Sequence, residues 1–178
     1  MINSKKLIIL FCLALVFFAP GIAAYIFYHH TQWLGSATTN NGELLNPPVE
    51  LSFLQQKKWN LIYWSPEKCE ENCKVGMDKL ARIRLALGRR LYQVDALLLE
   101  NDQAPVLSAS FAQQLKDQDM RTRQLSHQEA QALKPWSSHP AIFIANPEGY
   151  LVLSYTANAE PKSIYQDLKH LLHSKEQS

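Results

Sequence analysis

The fold is decided by residues 59–73, WNLIYWSPEKCEENC, in which a short apolar run leads into a pair of cysteines. Five of the first six residues, all but Asn60, are aromatic or aliphatic, and the run predicts a buried strand. Ser65 and Pro66 end this strand and can open a helix, because serine caps helix starts and proline suits the first turn. The sequence therefore predicts a strand, a tight junction and a helix, with Cys69 and Cys73 at the junction.

The rest of the chain alternates between helix and strand patterns. From Cys69 to Leu87 apolar and charged residues recur with a helical period, and Gly88 stops this helix. The later elements are a strand at 91–99, a helix at 110–115, a short strand at 121–125, a short helix after Ser126, a hairpin of strands at 140–146 and 150–155, and a helix at 161–173. This order predicts an α/β domain, a mixed sheet flanked by helices with the succession of elements found in a thioredoxin fold.

The N-terminal part carries an uncharged, apolar run from Leu7 to Tyr28, directly after Lys5 and Lys6. A helix of that length covers about 33 Å, enough to cross the hydrocarbon core of a bilayer. The run is longer than the apolar region of a cleaved secretory signal, so an uncleaved anchor is favoured over a cleaved signal. No Lys or Arg follows until Lys57, and the positive-inside rule then puts the N-terminus in the cytoplasm and the remainder outside it.

We therefore expect a cytoplasmic start and transmembrane anchor at residues 1–28, a linker at 29–50 and a thioredoxin-like domain at 51–178. The chain lacks an Arg- and Ser-rich presequence, which favours a bacterial inner membrane with the domain in the periplasm. The membrane is thus one expected partner. The formal net charge of +2 and the lack of a dense basic run with interleaved aromatics argue against nucleic acid.

The chemistry of the chain centres on Cys69 and Cys73, which are about one helical turn apart and so project from one face. The helix dipole favours a thiolate at Cys69, while the neighbouring glutamates oppose it. Such a pair can exchange with other disulfides, bind a soft ion such as Cu(I) together with an imidazole, or form a static structural disulfide. Cys12, inside the apolar run, behaves as a small hydrophobe and is assigned no chemistry.

Residues 64–73, the helix after them and the turn at 144–149 resemble the Sco/SenC proteins, which are membrane-anchored, thioredoxin-like and involved in assembling the copper centre of cytochrome c oxidase. The resemblance implies copper as the ligand, held by Cys69, Cys73 and His139, and a cytochrome c oxidase subunit or another copper or redox protein as the partner. The sequence departs from the family pattern at Lys74, where the family has proline. His139 also lies one residue closer to the turn and lacks the usual acidic neighbour.

The dipeptide His139-Pro140 also suits the position at which thioredoxins and periplasmic reductases place a cis-proline beside their cysteines, since cis bonds occur at X–Pro. In that interpretation Cys69 is the attacking thiolate, Cys73 resolves the mixed disulfide, and Pro140 contacts the partner.

Three functions stay open. The first is a copper chaperone or thiol reductase for oxidase assembly, the second a general periplasmic thiol–disulfide oxidoreductase, and the third an interaction domain with a structural disulfide. The three-residue spacer between Cys69 and Cys73 favours the first, more a chaperone than an enzyme, because redox thioredoxins mostly use two residues.

Overall fold

The structure is a computed structural model that describes residues 4–29, 40–54, 57–133, 135 and 139–176. It contains two compact units, Met1–Thr39 and Asn40–Ser178. The first unit holds helix α1, Ser4–His29, with Pro20 in its interior. In the described part of the chain no helix is both long and apolar enough to cross a membrane, so the transmembrane anchor expected from the apolar run Leu7 to Tyr28 is not confirmed.

The second unit is built on one mixed sheet of six strands in the order β1-β6-β5-β2-β3-β4. The strands are β1 Glu43–Glu50, β2 Trp59–Ser65, β3 Val94–Asn101, β4 Met120–Leu125, β5 Ala141–Ala145 and β6 Tyr150–Thr156. β2 lies in the centre, parallel to β3 and antiparallel to β5. Every residue of β2 and β5 is buried, because both faces of the sheet are covered. This explains why both strands are largely apolar, with Asn60 and Ser65 of β2 as the polar exceptions.

Four helices cover the sheet: α2 Glu71–Ala86, α3 Ala109–Asp117, α4 His127–Leu133 and α5 Pro161–Glu176. Short 3-10 helices lie at Ser52–Leu54 and Gly88–Gln93. Apolar residues of α2, α3 and α5 form one core with the sheet, and those of α4 and of residues 45–54 form a second core on the opposite face. The predicted mixed sheet flanked by helices is confirmed. A capping box begins α4, where the backbone N–H of Ser126 donates to Glu129 Oε2 at 2.8 Å.

The expected linker at residues 29–50 is wrong over its second half, because Glu43–Glu50 is the edge strand β1, antiparallel to β6. The strand is not recognisable from its sequence, because it contains two prolines, which cannot donate backbone hydrogen bonds to a neighbouring strand. The register of its pairing with β6 also shifts between Leu44 and Val49. Leu45 and Val49 nevertheless pack into the second core. Residues 30–39 of the expected linker lie outside the described residues.

Candidate disulfide site

The two cysteines lie where β2 passes into α2. The hydroxyl of Ser65, the last residue of β2, donates to the carbonyl oxygen of Glu67 at 3.0 Å. α2 begins only at Glu71, so Cys69 precedes the helix and Cys73 lies in its first turn. Placing Cys69 inside the helix was therefore wrong. Glu70 has an extended backbone, with φ −97° and ψ −164°, as expected of the residue that precedes a helix.

Cys69 and Cys73 form a disulfide, with their Cα atoms 5.1 Å apart. The residues are 9% and 4% exposed, and both belong to the core between the sheet and α2. The bond thus lies at the margin of the core. Because thiol–disulfide exchange needs access to a sulfur, Cys69 is better placed than Cys73 to meet a partner.

Tyr63, in β2, fills the space beneath the first turns of α2. A Cβ atom added to Gly76 would lie only 2.1 Å from Tyr63 Cε2, so glycine is what allows this helix to approach the ring. Burial raises the pKa of the Tyr63 phenol, which keeps it neutral. Tyr63 and Gly76 together set the distance between α2 and the sheet, and so also the position of Cys73, three residues before Gly76.

Two cavities flank Asn72, which lines both. The first, which we call the His139 cavity, has a volume of about 900 Å³ and is bordered by α2, the start of β5 and the end of β6. The second, the Cys69 cleft, has a volume of about 470 Å³ and lies between residues 68–74 and residues 105–111. Cys69 lines the second cavity, and neither cysteine lines the first. The structure thus places His139 and Cys69 in neighbouring but separate cavities.

Pro140 lines the His139 cavity and directly precedes β5. The expectation of a cis peptide bond at Pro140 is wrong. Within the described ranges, the cis X–Pro bond is Asn46–Pro47, and the His139–Pro140 bond is not cis. β5 pairs with β2 from Ala141 onward, and the trans isomer, which is lower in energy, leads the chain into that pairing.

Cys69, Cys73 and His139 are the residues expected to bind copper. Where the structure describes the chain, no group of three or more His, Cys, Asp or Glu side chains is placed to hold a metal ion. The disulfide also uses the two sulfurs that would bind a soft ion as thiolates. The oxidised site therefore does not fit Cu(I), and Cys69 and Cys73 would have to be reduced before they could act as ligands.

A buried carboxyl lies on the cysteine side of the sheet. Glu100, at the end of β3, pairs in register with Ser65. Strand alternation puts it on the face of Ala96 and Leu98, which share a core with both cysteines. Glu100 is buried, and its Oε1 has no hydrogen-bond partner among the described residues. Burial raises the pKa of this carboxyl, which favours its neutral form.

The far wall of the His139 cavity is held by two polar anchors. Lys79 Nζ donates to the carbonyl oxygens of Ala157 and Ala159 at 2.8 and 3.0 Å, and burial lowers the pKa of this amine. The Tyr155 hydroxyl donates to Asp167 Oδ2 at 2.7 Å. Both anchors hold the end of β6 and the residues after it against the helices of the cysteine face.

Asp167 also binds the chain just before β1. The backbone N–H groups of Asn41 and Gly42 donate to its Oδ2 at 2.7 and 2.8 Å, and Asn41 Nδ2 donates to Oδ1 at 2.9 Å. Burial alone would raise the pKa of the Asp167 carboxyl, but these bonds and that of Tyr155 hold it below its usual value. The Tyr155 pKa is raised by burial and by the same carboxylate.

Several of these residues were missed in the sequence. Tyr63 was noticed only as part of an apolar strand, and Asn72 only as a residue between the cysteines. Glu100 follows three leucines, a pattern typical of a buried strand end that could have drawn attention to it. Nothing in the sequence placed the loop at 105–107 beside Cys69, because that proximity depends on how β3 and α3 are connected.

The fold and the site define a thioredoxin-like protein with one disulfide at the start of its first sheet-packed helix. Residues 59–174 match the family model described as "Transmembrane-like, thioredoxin-like, C-terminal domain", and the chain belongs to this family. No curated protein matches the chain.

Solved structures share the fold at low sequence identity. Apo Sco1 from Thermus thermophilus has 19% identity and a TM-score of 0.53, over 77% of this chain and 99% of that chain. Yeast Sco1 with copper bound has 20% identity and a TM-score of 0.51, over 67% and 81%. A DsbF homologue from Corynebacterium diphtheriae has 10% identity and a TM-score of 0.50, over 76% and 95%. These likenesses establish the thioredoxin-like fold, and the Sco/SenC resemblance stays a prediction.

Proposed function

We propose that this chain exchanges thiols and disulfides with partner proteins through Cys69 and Cys73. The observation that carries the proposal is the disulfide at the junction of β2 and α2, with Cys69 lining an open cleft and Cys73 buried behind it. A first cysteine that lines a cleft and a second one that lines neither cavity suit the two steps of exchange, attack and resolution. A purely structural disulfide would need no cleft beside it.

The test uses the reduced full chain and glutathione disulfide, followed by alkylation and mass spectrometry. Reduced wild-type protein should form the internal disulfide and release two glutathione thiols. Cys73→Ser should stop at a mixed disulfide on Cys69, because the resolving thiol is gone, and Cys69→Ser should react far more slowly. Cys12→Ser serves as the control and should behave as wild type. Equal reactivity of the two single variants of the pair would contradict the assignment of roles.

Copper delivery to cytochrome c oxidase is the second proposed function, with an oxidase subunit as the partner. It is supported by the three-residue spacing of the cysteines, which differs from the two-residue spacing usual in redox thioredoxins. Copper would be cargo that binds after reduction, with Cys69 and Cys73 as its two soft ligands. His139, in the neighbouring cavity, is the proposed third ligand.

Copper binding is tested by titrating the reduced full chain with Cu(I) in competition with a chromophoric chelator. The proposal expects uptake of about one equivalent, loss of uptake in Cys73→Ser and weakened uptake in His139→Ala. Uptake that is unchanged in Cys73→Ser would refute the ligand assignment. Normal affinity in His139→Ala would remove His139 from the site while leaving the cysteine ligands in place.

The proposed location is the periplasmic side of a bacterial inner membrane. A disulfide persists in compartments where thiols are not kept reduced, which supports a place outside the cytoplasm. Spheroplasts from cells that express the protein should let a membrane-impermeant maleimide label Cys69 after mild reduction. Labelling only after lysis would put the domain on the other side.

A further inference from the structure

We propose that the Cys69 cleft is a binding site for a polypeptide whose own redox-active cysteine lies next to an apolar side chain. This inference deepens the proposed thiol–disulfide exchange and rests on it. It assigns partner recognition to residues 105–107, which line the Cys69 cleft and do not line the His139 cavity.

The first support is the separation of the two cavities. A partner sulfur must reach Cys69, because Cys73 is the more deeply buried of the pair. Cys69 lines the cleft bounded by residues 105–111 and does not line the larger His139 cavity. A polypeptide bound for exchange therefore lies against the 105–111 segment.

The second support is the apolar character of that segment. Pro105, Val106 and Leu107 all line the cleft, and Val106 is 93% exposed. An almost fully exposed valine beside a redox sulfur gains from contact with an apolar partner residue, since contact removes its surface from water.

The third support is that the loop is held in place. Leu107 packs against the core that contains the cysteines. Ser108 caps α3 by accepting a hydrogen bond from the Phe111 N–H, and Gln124 Nε2 donates to the carbonyl oxygen of Ala104 at 3.2 Å. The loop is thus anchored on both sides of Val106, and a preformed apolar surface binds with less loss of conformational entropy than a mobile one.

The charges of the opposite wall select neither acidic nor basic partners. That wall carries two lysines and two glutamates, Lys68, Lys74, Glu70 and Glu71. Lys74 and Glu71 pair with each other, at 2.6 Å between Nζ and Oε1. With these charges balanced, the apolar loop is the feature that distinguishes one partner from another.

The exchange takes place in two steps and transfers two electrons from the protein dithiol to the partner disulfide. The Cys69 thiolate attacks the partner disulfide, forms a mixed disulfide and releases the first partner thiolate. Cys73 loses its proton to solvent and attacks Cys69 Sγ, which restores the internal disulfide and releases the second thiolate. The protein dithiol is oxidised by two electrons, the partner disulfide is reduced by two, and solvent protonates the leaving thiolates.

The test compares two synthetic peptides, each with one cysteine blocked as a mixed disulfide with thionitrobenzoate. One peptide has leucine beside the cysteine and the other has serine. The reduced full chain should react roughly fivefold faster with the leucine peptide, the ratio expected for partial burial of one aliphatic side chain. Val106→Ser should bring this ratio close to one.

Val75 supplies the matched control, because it is an exposed valine, at 65%, that lines the His139 cavity instead. Val75→Ser should keep the wild-type ratio and should react with glutathione disulfide at the wild-type rate. A ratio near one in the wild type, or its loss in Val75→Ser alone, would overturn the inference while leaving the exchange function standing. No reaction with glutathione disulfide would instead contradict the proposed function, and the inference with it.

Discussion

At Gly76 the packing of α2 on β2 leaves no room for a side chain. Glycine to alanine inside a helix ordinarily stabilises by about 0.5–1 kcal/mol. Here the new Cβ would meet the buried Tyr63 ring at 2.1 Å, so Gly76→Ala should instead lower the free energy of unfolding by about 1–3 kcal/mol. Urea denaturation of the oxidised protein measures this change.

Tyr63→Leu provides the control for that prediction, because it removes the ring that the new methyl group meets. The double variant should be less destabilised than the sum of the two single variants. Additive effects would show that the clash between residues 63 and 76 is not the cause.

Glu100 gives a pH dependence of the opposite sign to that of most carboxyl groups. Its pKa is raised on folding, so between the unfolded and folded pKa values the native state binds more protons than the unfolded state. Stability should therefore fall as pH rises from about 4, the ordinary pKa of glutamate, toward the raised value. Glu100→Gln should remove this fall, and at neutral pH it should be more stable than wild type by about 1–3 kcal/mol.

Thermal unfolding of both proteins at several pH values checks this prediction. Parallel pH profiles for the wild type and Glu100→Gln would show that Glu100 is not the group that titrates.

At the scale of elements, Asp167 joins α5, β6 and the chain that enters β1. Its carboxylate accepts four hydrogen bonds. Asp167→Asn would replace one accepting oxygen with an N–H₂ group, which is itself a donor and cannot accept a hydrogen bond. We expect a loss of about 2–4 kcal/mol at neutral pH, in line with the cost of leaving buried donors unpaired. Since the folded pKa is lowered, this contribution is full above the unfolded pKa of about 3.9 and disappears as pH falls through the folded value.

Chemical denaturation of the wild type and Asp167→Asn at neutral and acidic pH measures the difference. The difference in the free energy of unfolding between the two proteins should become smaller at acidic pH. Tyr155→Phe, which deletes one of the four donors, should cost about 1 kcal/mol. A difference in the free energy of unfolding that stays constant with pH would contradict the assignment of a buried, ionised Asp167.

The elements that the sequence predicts well are those whose pattern follows from burial alone. The run at residues 59–64, apolar except for Asn60, and that at 141–145 predict central strands, because strands covered on both faces need mostly apolar side chains. β1 was missed for the opposite reason: it is an edge strand, and Pro47 and Pro48 interrupt the alternation of its side chains.

The site was predictable only in part. The spacing of Cys69 and Cys73 brings them within bonding reach on local geometry alone, and the structure shows that bond. The placement of His139 depends on the chain between β4 and β5, and that of Val106 on the loop between β3 and α3. Such long-range arrangements leave no periodic trace in the sequence, and for this reason the neighbours of Cys69 could not be foreseen.

For the whole molecule, we expect that the Cys69–Cys73 disulfide opens and closes in function. The most direct test is a redox titration of the native full chain with reduced and oxidised glutathione, followed by acid quenching, alkylation and mass spectrometry. We expect both thiols to appear together in one reversible two-electron transition at a potential above about −300 mV. A pair that stays oxidised across the glutathione range would mark a structural disulfide and rule out thiol–disulfide exchange as its function.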